Sequence, residues 1–147
     1  NERVLSLMKK KILFLCTGNS ARSQMAEGLM HHFRGDEFEV FSAGVEPKGI
    51  HPVAVQVMRE IGIDIADQQS KHIDDLPSRE FDYIITLCDH AAQNCPLFPG
   101  KGIRLHQGFF DPAAVQGSEL DVIEAFRKVR DELKQFILSF DSDKGPV

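Results

Sequence analysis

Residues 12–23 read Ile12-Leu13-Phe14-Leu15-Cys16-Thr17-Gly18-Asn19-Ser20-Ala21-Arg22-Ser23. The unbroken apolar run marks a strand buried on both faces, as in a parallel sheet. The chain then continues Ser23-Gln24-Met25-Ala26-Glu27-Gly28-Leu29-Met30, with apolar residues at helical spacing. A cysteine therefore stands at the tip of a buried strand, with an arginine six residues on at the entry to a helix.

The loop between strand and helix carries chemistry. Gly18 takes backbone angles that a side chain would forbid, and Asn19 tolerates them better than most residues. Such angles gather successive N–H groups into one concavity at a helix N-terminus, which binds a tetrahedral oxyanion. Arg22 offers a planar fork of donors for two oxygens of that anion. The same positive field favours the thiolate of Cys16, the form that attacks. Ser20 and Ser23 are placed to donate hydrogen bonds to its sulfur. The residues Thr17, Gly18, Asn19, Ser20, Ala21, Arg22 and Ser23 thus read as a substrate-binding loop around a Cys16 nucleophile. The competing reading is a structural cysteine beside a turn that happens to contain arginine. A nucleotide-binding loop is excluded, because no Gly-Lys-Ser/Thr ending and no Gly-x-Gly-x-x-Gly occurs.

Working outward, strand and helix patterns alternate along the chain. Strands are expected at Lys11–Leu15, Phe38–Ser42, Phe81–Leu87 and Ile103–His106. Helices are expected at Ser23–Arg34, at Pro52–Ile61 closed by Gly62, and at Glu119–Phe140. This alternation predicts an α/β fold: a single domain over residues 9–140, with a four-stranded parallel sheet and helices on both faces. Residues 1–8 and 141–147 are expected to be flexible ends, with Met8 a candidate start. Ligands in such sheets bind at the carboxyl ends of the strands. Cys16, Cys88 and Asp111 all lie just past expected strand ends.

Composition narrows the partners. A chain of 147 residues with net charge −5 and interspersed signs argues against a nucleic-acid or membrane surface. No apolar run reaches membrane-spanning length, and Lys9-Lys10-Lys11 interrupts the N-terminal apolar stretch, which does not read as a signal peptide. Three cysteines, an odd number, fit reduced reactive thiols and a cytoplasmic location better than a disulfide framework.

Cys88 and Cys95 are seven residues apart. On a helix both would share a face, roughly 10 Å apart along the axis, too far for a disulfide without unwinding. Asp89, Asn94 and Pro96 weaken the ends of such a helix, so the segment reads as easy to melt. A redox pair working with Cys16 is the favoured reading. Two others compete: a Cys88 that simply ends a buried strand beside an incidental Cys95, and a metal site of Cys88, His90 and Cys95. The last fits no common zinc spacing, and no metal is expected. In Gly108-Phe109-Phe110-Asp111-Pro112, a carboxyl among aromatic rings is expected to be partly desolvated and able to protonate a leaving oxygen. An Asp111 that merely caps a turn is the alternative. Asp74, Asp75 and Asp82 read as surface or turn acids, and His106 stands near the active edge.

These residues resemble a known family. Cys16 to Ser23, the following Gln-Met-Ala-Glu-Gly, Ser42-Ala43-Gly44, His51-Pro52, Gly62-Ile63-Asp64-Ile65, Thr86-Leu87-Cys88, Cys95-Pro96, and Gly108-Phe109 through Asp111-Pro112-Ala113 resemble thioredoxin-coupled bacterial arsenate reductases. Those share the low-molecular-weight tyrosine phosphatase fold, and the resemblance runs from about Lys9 to Phe140. It implies that Cys16 attacks arsenate, held by Arg22 and the loop, while Asp111 protonates the departing oxygen. Cys88 then attacks Cys16, and Cys95 attacks Cys88, leaving a Cys88–Cys95 disulfide for thioredoxin, or glutaredoxin with glutathione, to reduce. It implies no tightly bound cofactor.

Three positions depart from the pattern. Ala21 stands where many relatives carry another cysteine, and Phe110 replaces a common aspartate. Lys71 falls where some relatives would place an acidic potassium ligand near Asn19, Glu27 and Ser42. Two further functions use the same loop: a phosphotyrosine or phosphomonoester phosphatase, which needs neither distal cysteine, and a non-catalytic oxyanion sensor.

Overall fold

The structure is a computed structural model that describes residues 9–96, 98–100 and 102–141. The expected flexible ends at 1–8 and 141–147 lie outside the described residues, apart from residue 141. Four parallel strands form one sheet: β1 (Lys10–Cys16), β2 (Phe38–Gly44), β3 (Tyr83–Thr86) and β4 (Ile103–His106), in the order β2-β1-β3-β4. Four helices connect and follow them: α1 (Arg22–Arg34), α2 (Pro52–Arg59), α3 (Asp89–Gln93) and α4 (Glu119–Ser139).

The apolar run of β1 is explained by its place. It pairs with β2 on one side and β3 on the other, and Ile12, Leu13 and Phe14 are fully buried. The chain leaves β1 towards β2 and leaves β3 towards β4, in opposite directions across the sheet. Right-handed crossovers then place α1 and α3 on opposite faces. The carboxyl ends of β1 and β3 flank the point where strand order reverses, the usual place for a ligand crevice in such sheets. Cys16 ends β1, and Cys88 follows β3 by two residues.

α4 closes the fold. Ser118 and Asp121 form a reciprocal cap at its start, and Phe126, Val129, Leu133 and Ile137 are buried along one stripe. Each such side chain contributes about 1.5–3 kcal/mol of burial. Arg127 and Arg130 reach across to Glu60, just past α2, with contacts of 2.6 and 2.8 Å. These bonds, that of Arg127 first, hold the Glu60 carboxyl down at about 2.

Several element ends differ from expectation. β3 is Tyr83–Thr86 rather than Phe81–Leu87, although Phe81 and Leu87 remain buried and the Leu87 N–H still donates to Leu15 O. α2 stops at Arg59, after which Gly62 turns the chain at φ +81. Such a φ favours glycine. Short 3-10 turns at Ile73–Asp75 and Pro112–Ala114 have no periodic signal in the sequence. No helix of the described residues is long and apolar enough to cross a membrane.

Candidate active site

The loop after β1 is held by its carbonyls. Glu46 N–H donates to Thr17 O, Lys48 N–H to Gly18 O, His51 N–H to Ser20 O and Met25 N–H to Ala21 O. The Gln24 side chain donates to Asn19 O at 3.0 Å. Five consecutive carbonyls are thus drawn away from the pocket. In a trans peptide the N–H points opposite to the C=O, so the N–H groups of Gly18 through Arg22 turn the other way, into the concavity. Asn19 takes φ +44, the left-handed conformation the sequence anticipates for it. Gly44, at the end of β2, lets the two backbones meet: a Cβ there would sit 2.6 Å from Thr17 O.

Beneath the loop a buried network fixes the sulfur. Cys16 is 3% exposed and lies 2.8 Å from Ser23 Oγ. Asn19 Nδ2 donates to Ser23 Oγ at 2.7 Å and to Ser42 Oγ at 2.9 Å, and Ser42 Oγ donates to Glu27 Oε1 at 2.5 Å. Because Ser23 already accepts from Asn19, its single proton is free to point at Cys16. Ser20, the other expected donor, lines the pocket. Glu27 is buried enough that its carboxyl is pushed up, despite the Ser42 bond and the nearby Lys71. Lys71 Nζ stands 4.0 Å from Glu27, and burial pushes that amine down. Among the described residues no group of three or more His, Cys, Asp or Glu is gathered as metal ligands.

Cys16, Thr17, Gly18, Ser20, Ala21, Arg22 and Asp111 line one pocket of about 290 Å³, together with Lys48, His51 and Ala113. Arg22 opens α1; its Nη1 donates to Phe109 O at 3.0 Å and its Nη2 lies 3.7 Å from Asp111 Oδ2. Asp111 is partly buried in the pocket wall. Its side chain is 45% exposed, and Oδ1 accepts from Ala113 N–H at 3.0 Å as it caps the turn at Pro112–Ala114. The loop's Phe110 ring projects into solvent instead of covering the carboxyl. Asp111 is therefore both a turn cap and a carboxylate in the pocket wall. Asn19 and Ser23 support the loop from below and do not line the pocket.

Lys48 and His51 belong to the pocket without having been singled out as ligand residues. His51 caps α2 through Nδ1, lies against the Phe126 ring at 4.7 Å, and is held down by burial, against the pull of Asp111. In the sequence His51-Pro52 stands only among the residues that carry the family resemblance, with Pro52 as a helix start, and neither points to a pocket.

The other thiols lie across the strand-order reversal. Cys88 Sγ is 3.2 Å from Thr17 Oγ1, beside the residue that follows Cys16, and also accepts from Ala91 N–H at 3.4 Å. It is the N-cap of α3, which spans only Asp89–Gln93. The two-turn helix considered above is therefore absent, because Asn94 turns its amide back onto His90 O at 2.8 Å and the chain leaves the helix before Cys95. Cys95 is half-buried against β3 and β4, and burial pushes its thiol up, with Arg104 opposing. His106, flagged near this edge, joins Thr86 Oγ1 at 2.8 Å to Asp89 Oδ1 at 3.0 Å.

Comparison with known proteins adds to this geometry. A family model described as low molecular weight phosphotyrosine protein phosphatase matches residues 11–142. The arsenate reductase of Halalkalibacterium halodurans is 50% identical over 132 residues, spanning 90% of this chain and 95% of that protein. A solved arsenate reductase in its phosphate-binding state superposes with TM-score 0.75 at 33% identity, over 88% of this chain and 94% of the other. The thioredoxin-dependent arsenate reductase of Corynebacterium glutamicum superposes with TM-score 0.63 at 30% identity, over 93% and 66%.

Proposed function

This chain belongs to the low molecular weight phosphotyrosine protein phosphatase family, and from that premise and its three cysteines we propose that it reduces arsenate to arsenite. The observation that carries the reading is Cys88 Sγ held 3.2 Å from Thr17 Oγ1, at the lip of the Cys16 pocket, with Cys95 one short helix further on.

The residues divide the work. Arg22 and the N–H groups of residues 18–22 bind the oxyanion, and Lys48 and His51 complete the wall. The Cys16 thiolate displaces one oxygen of arsenate, which leaves as water with a proton from Asp111. Cys88 attacks Cys16 Sγ; the sulfur–arsenic bond breaks and its electron pair passes to arsenic, releasing arsenite. Cys95 then attacks Cys88, forming Cys88–Cys95 and freeing Cys16 as a thiolate. An external dithiol takes up this disulfide, and the name of the Corynebacterium glutamicum relative supports thioredoxin in that part. Such a cycle belongs in a reducing compartment, in keeping with the cytoplasm.

The test is a Cys88→Ser variant supplied with arsenate, thioredoxin and its reductase. Steady-state arsenite production is expected to stop, and the wild type without donor is expected to trap Cys88–Cys95. Undiminished turnover of the variant would remove the relay. A phosphatase reading is favoured by Arg22 and Asp111 meeting over Cys16 in one pocket. Aryl phosphate turnover well above arsenate turnover, unchanged by replacing both Cys88 and Cys95, would select it instead. A thiol that turns over no oxyanion would leave the sensor.

A further inference from the structure

The last exchange of the relay asks most of Cys95. Its thiol is half-buried, which disfavours the thiolate, and Cys95 Sγ donates to Pro96 O at 3.5 Å, a bond that only the neutral thiol can make. Losing the proton would set a negative sulfur beside that carbonyl oxygen. Arg104, on β4, donates from Nη2 to the same Pro96 O at 3.0 Å. Cys95 and Arg104 also line one pocket of about 220 Å³ with Thr86 and His106. The guanidinium lies over the Phe98 ring, 5.8 Å from its centroid. Its place is therefore set by a ring and a carbonyl, and further N–H donors of the fork remain for a sulfur sharing that oxygen.

We propose that Arg104 is a positioning residue for the final thiol–disulfide exchange: it pins the Pro96 carbonyl to β4 and supplies the donor and positive charge against which Cys95 becomes an attacking thiolate. The step balances. Cys95 loses its proton to solvent and its sulfur bonds to Cys88; the Cys16–Cys88 bond breaks, and Cys16 leaves with the electron pair. No net oxidation occurs. The proposal rests on the relay reading for its purpose, though the effect on Cys95 itself does not need arsenate. Of the other charged groups, His106 on β4 lines the Cys95 pocket and is bonded to Asp89 on α3, and Arg79 shares the Phe98 ring.

The experiment uses the full chain with Cys16 and Cys88 replaced by serine, so that Cys95 is the only thiol. Its alkylation rate by iodoacetamide is followed from pH 6 to 11. Arg104→Gln is expected to raise the midpoint by about one pH unit, and Arg104→Lys to restore most of it. With all three cysteines present and arsenate added, Arg104→Gln should accumulate the Cys16–Cys88 disulfide and convert it to Cys88–Cys95 about tenfold more slowly near pH 7. An unmoved alkylation midpoint overturns the proposal, as does a lysine variant no better than glutamine in a chain with wild-type circular dichroism. Absence of any arsenite from the wild type would instead strike the relay reading, leaving the alkylation result to judge Arg104.

Discussion

The Cys16–Ser23 loop and the Cys88–Cys95 segment meet at one sheet edge, but they are built in opposite ways. In the loop, five carbonyls and the Asn19 side chain are bonded to β2, α1 and the segments that follow β2. In the segment, a helix of five residues is held by Ala91 in the core, by the exposed His106–Asp89 pair and by Arg104 on Pro96. A helix that short has little stability of its own. The contrast matches the chemistry proposed for the two regions. Binding an oxyanion needs donors fixed beforehand. Passing a disulfide along needs sulfurs that travel to within about 2 Å of one another, so their support must yield cheaply.

The sharpest way to break this contrast is to remove one asparagine from each region. Asn19→Ala strips partners from Ser23, Ser42 and the Lys71 N–H in a buried network, and it should cost about 2–3 kcal/mol. Asn94→Ala loses a bond at an exposed helix end and should cost about 0.5 kcal/mol or less. Urea unfolding of the two variants gives the difference directly; equal losses would mean that the loop is no more fixed than the segment.

A site remote from both regions calibrates the scale. The Glu60 carboxyl lies at about 2 in the folded protein, below its ordinary 4.5. Its contribution is therefore complete above pH 4.5 and is lost as pH falls from 4.5 towards 2. The pair is partly exposed, so after solvent screening Glu60→Gln should cost about 1 kcal/mol at pH 7 and flatten the acid limb of the stability curve. Arsenate turnover at pH 7 should be unchanged. A variant as acid-sensitive as the wild type would remove this account of the α2–α4 link.

The smallest effect concerns the fastening of α3. His106→Ala releases Asp89 from β4, a pair worth on the order of 0.5–1 kcal/mol. Amides of residues 89–95 should then exchange with deuterium about threefold faster, while those of α1 keep their protection. Unchanged exchange in the segment would assign its hold to Ala91 and Arg104 alone.

The sheet and the loop were legible in the sequence because both are local. Ile12–Leu15 could only be a strand buried on two faces, and Gly18, Asn19 and Arg22 follow it within a few residues. The rest depends on distance along the chain. Lys48 and His51 enter the pocket from a connection without periodicity, because their backbone binds Gly18 and Ser20. Asp111 is legible as a candidate, but the degree of its exposure is not, since aromatic neighbours in sequence do not fix where Phe110 points. The weak ends of α3 were legible in Asn94 and Pro96, but the exact stop, with Asn94 folding back on His90, was not. Arg104 carries no motif at all; only the fold brings it and Cys95 to the same carbonyl oxygen.

The thiol count has a practical consequence at the bench. In the proposed relay two of the three cysteines end in a disulfide after one reduction, and no fourth cysteine supplies further electrons through sulfur exchange. One protein molecule deprived of its donor therefore makes one arsenite and stops. The size of that burst counts competent molecules in a preparation, so the enzyme titrates its own active sites.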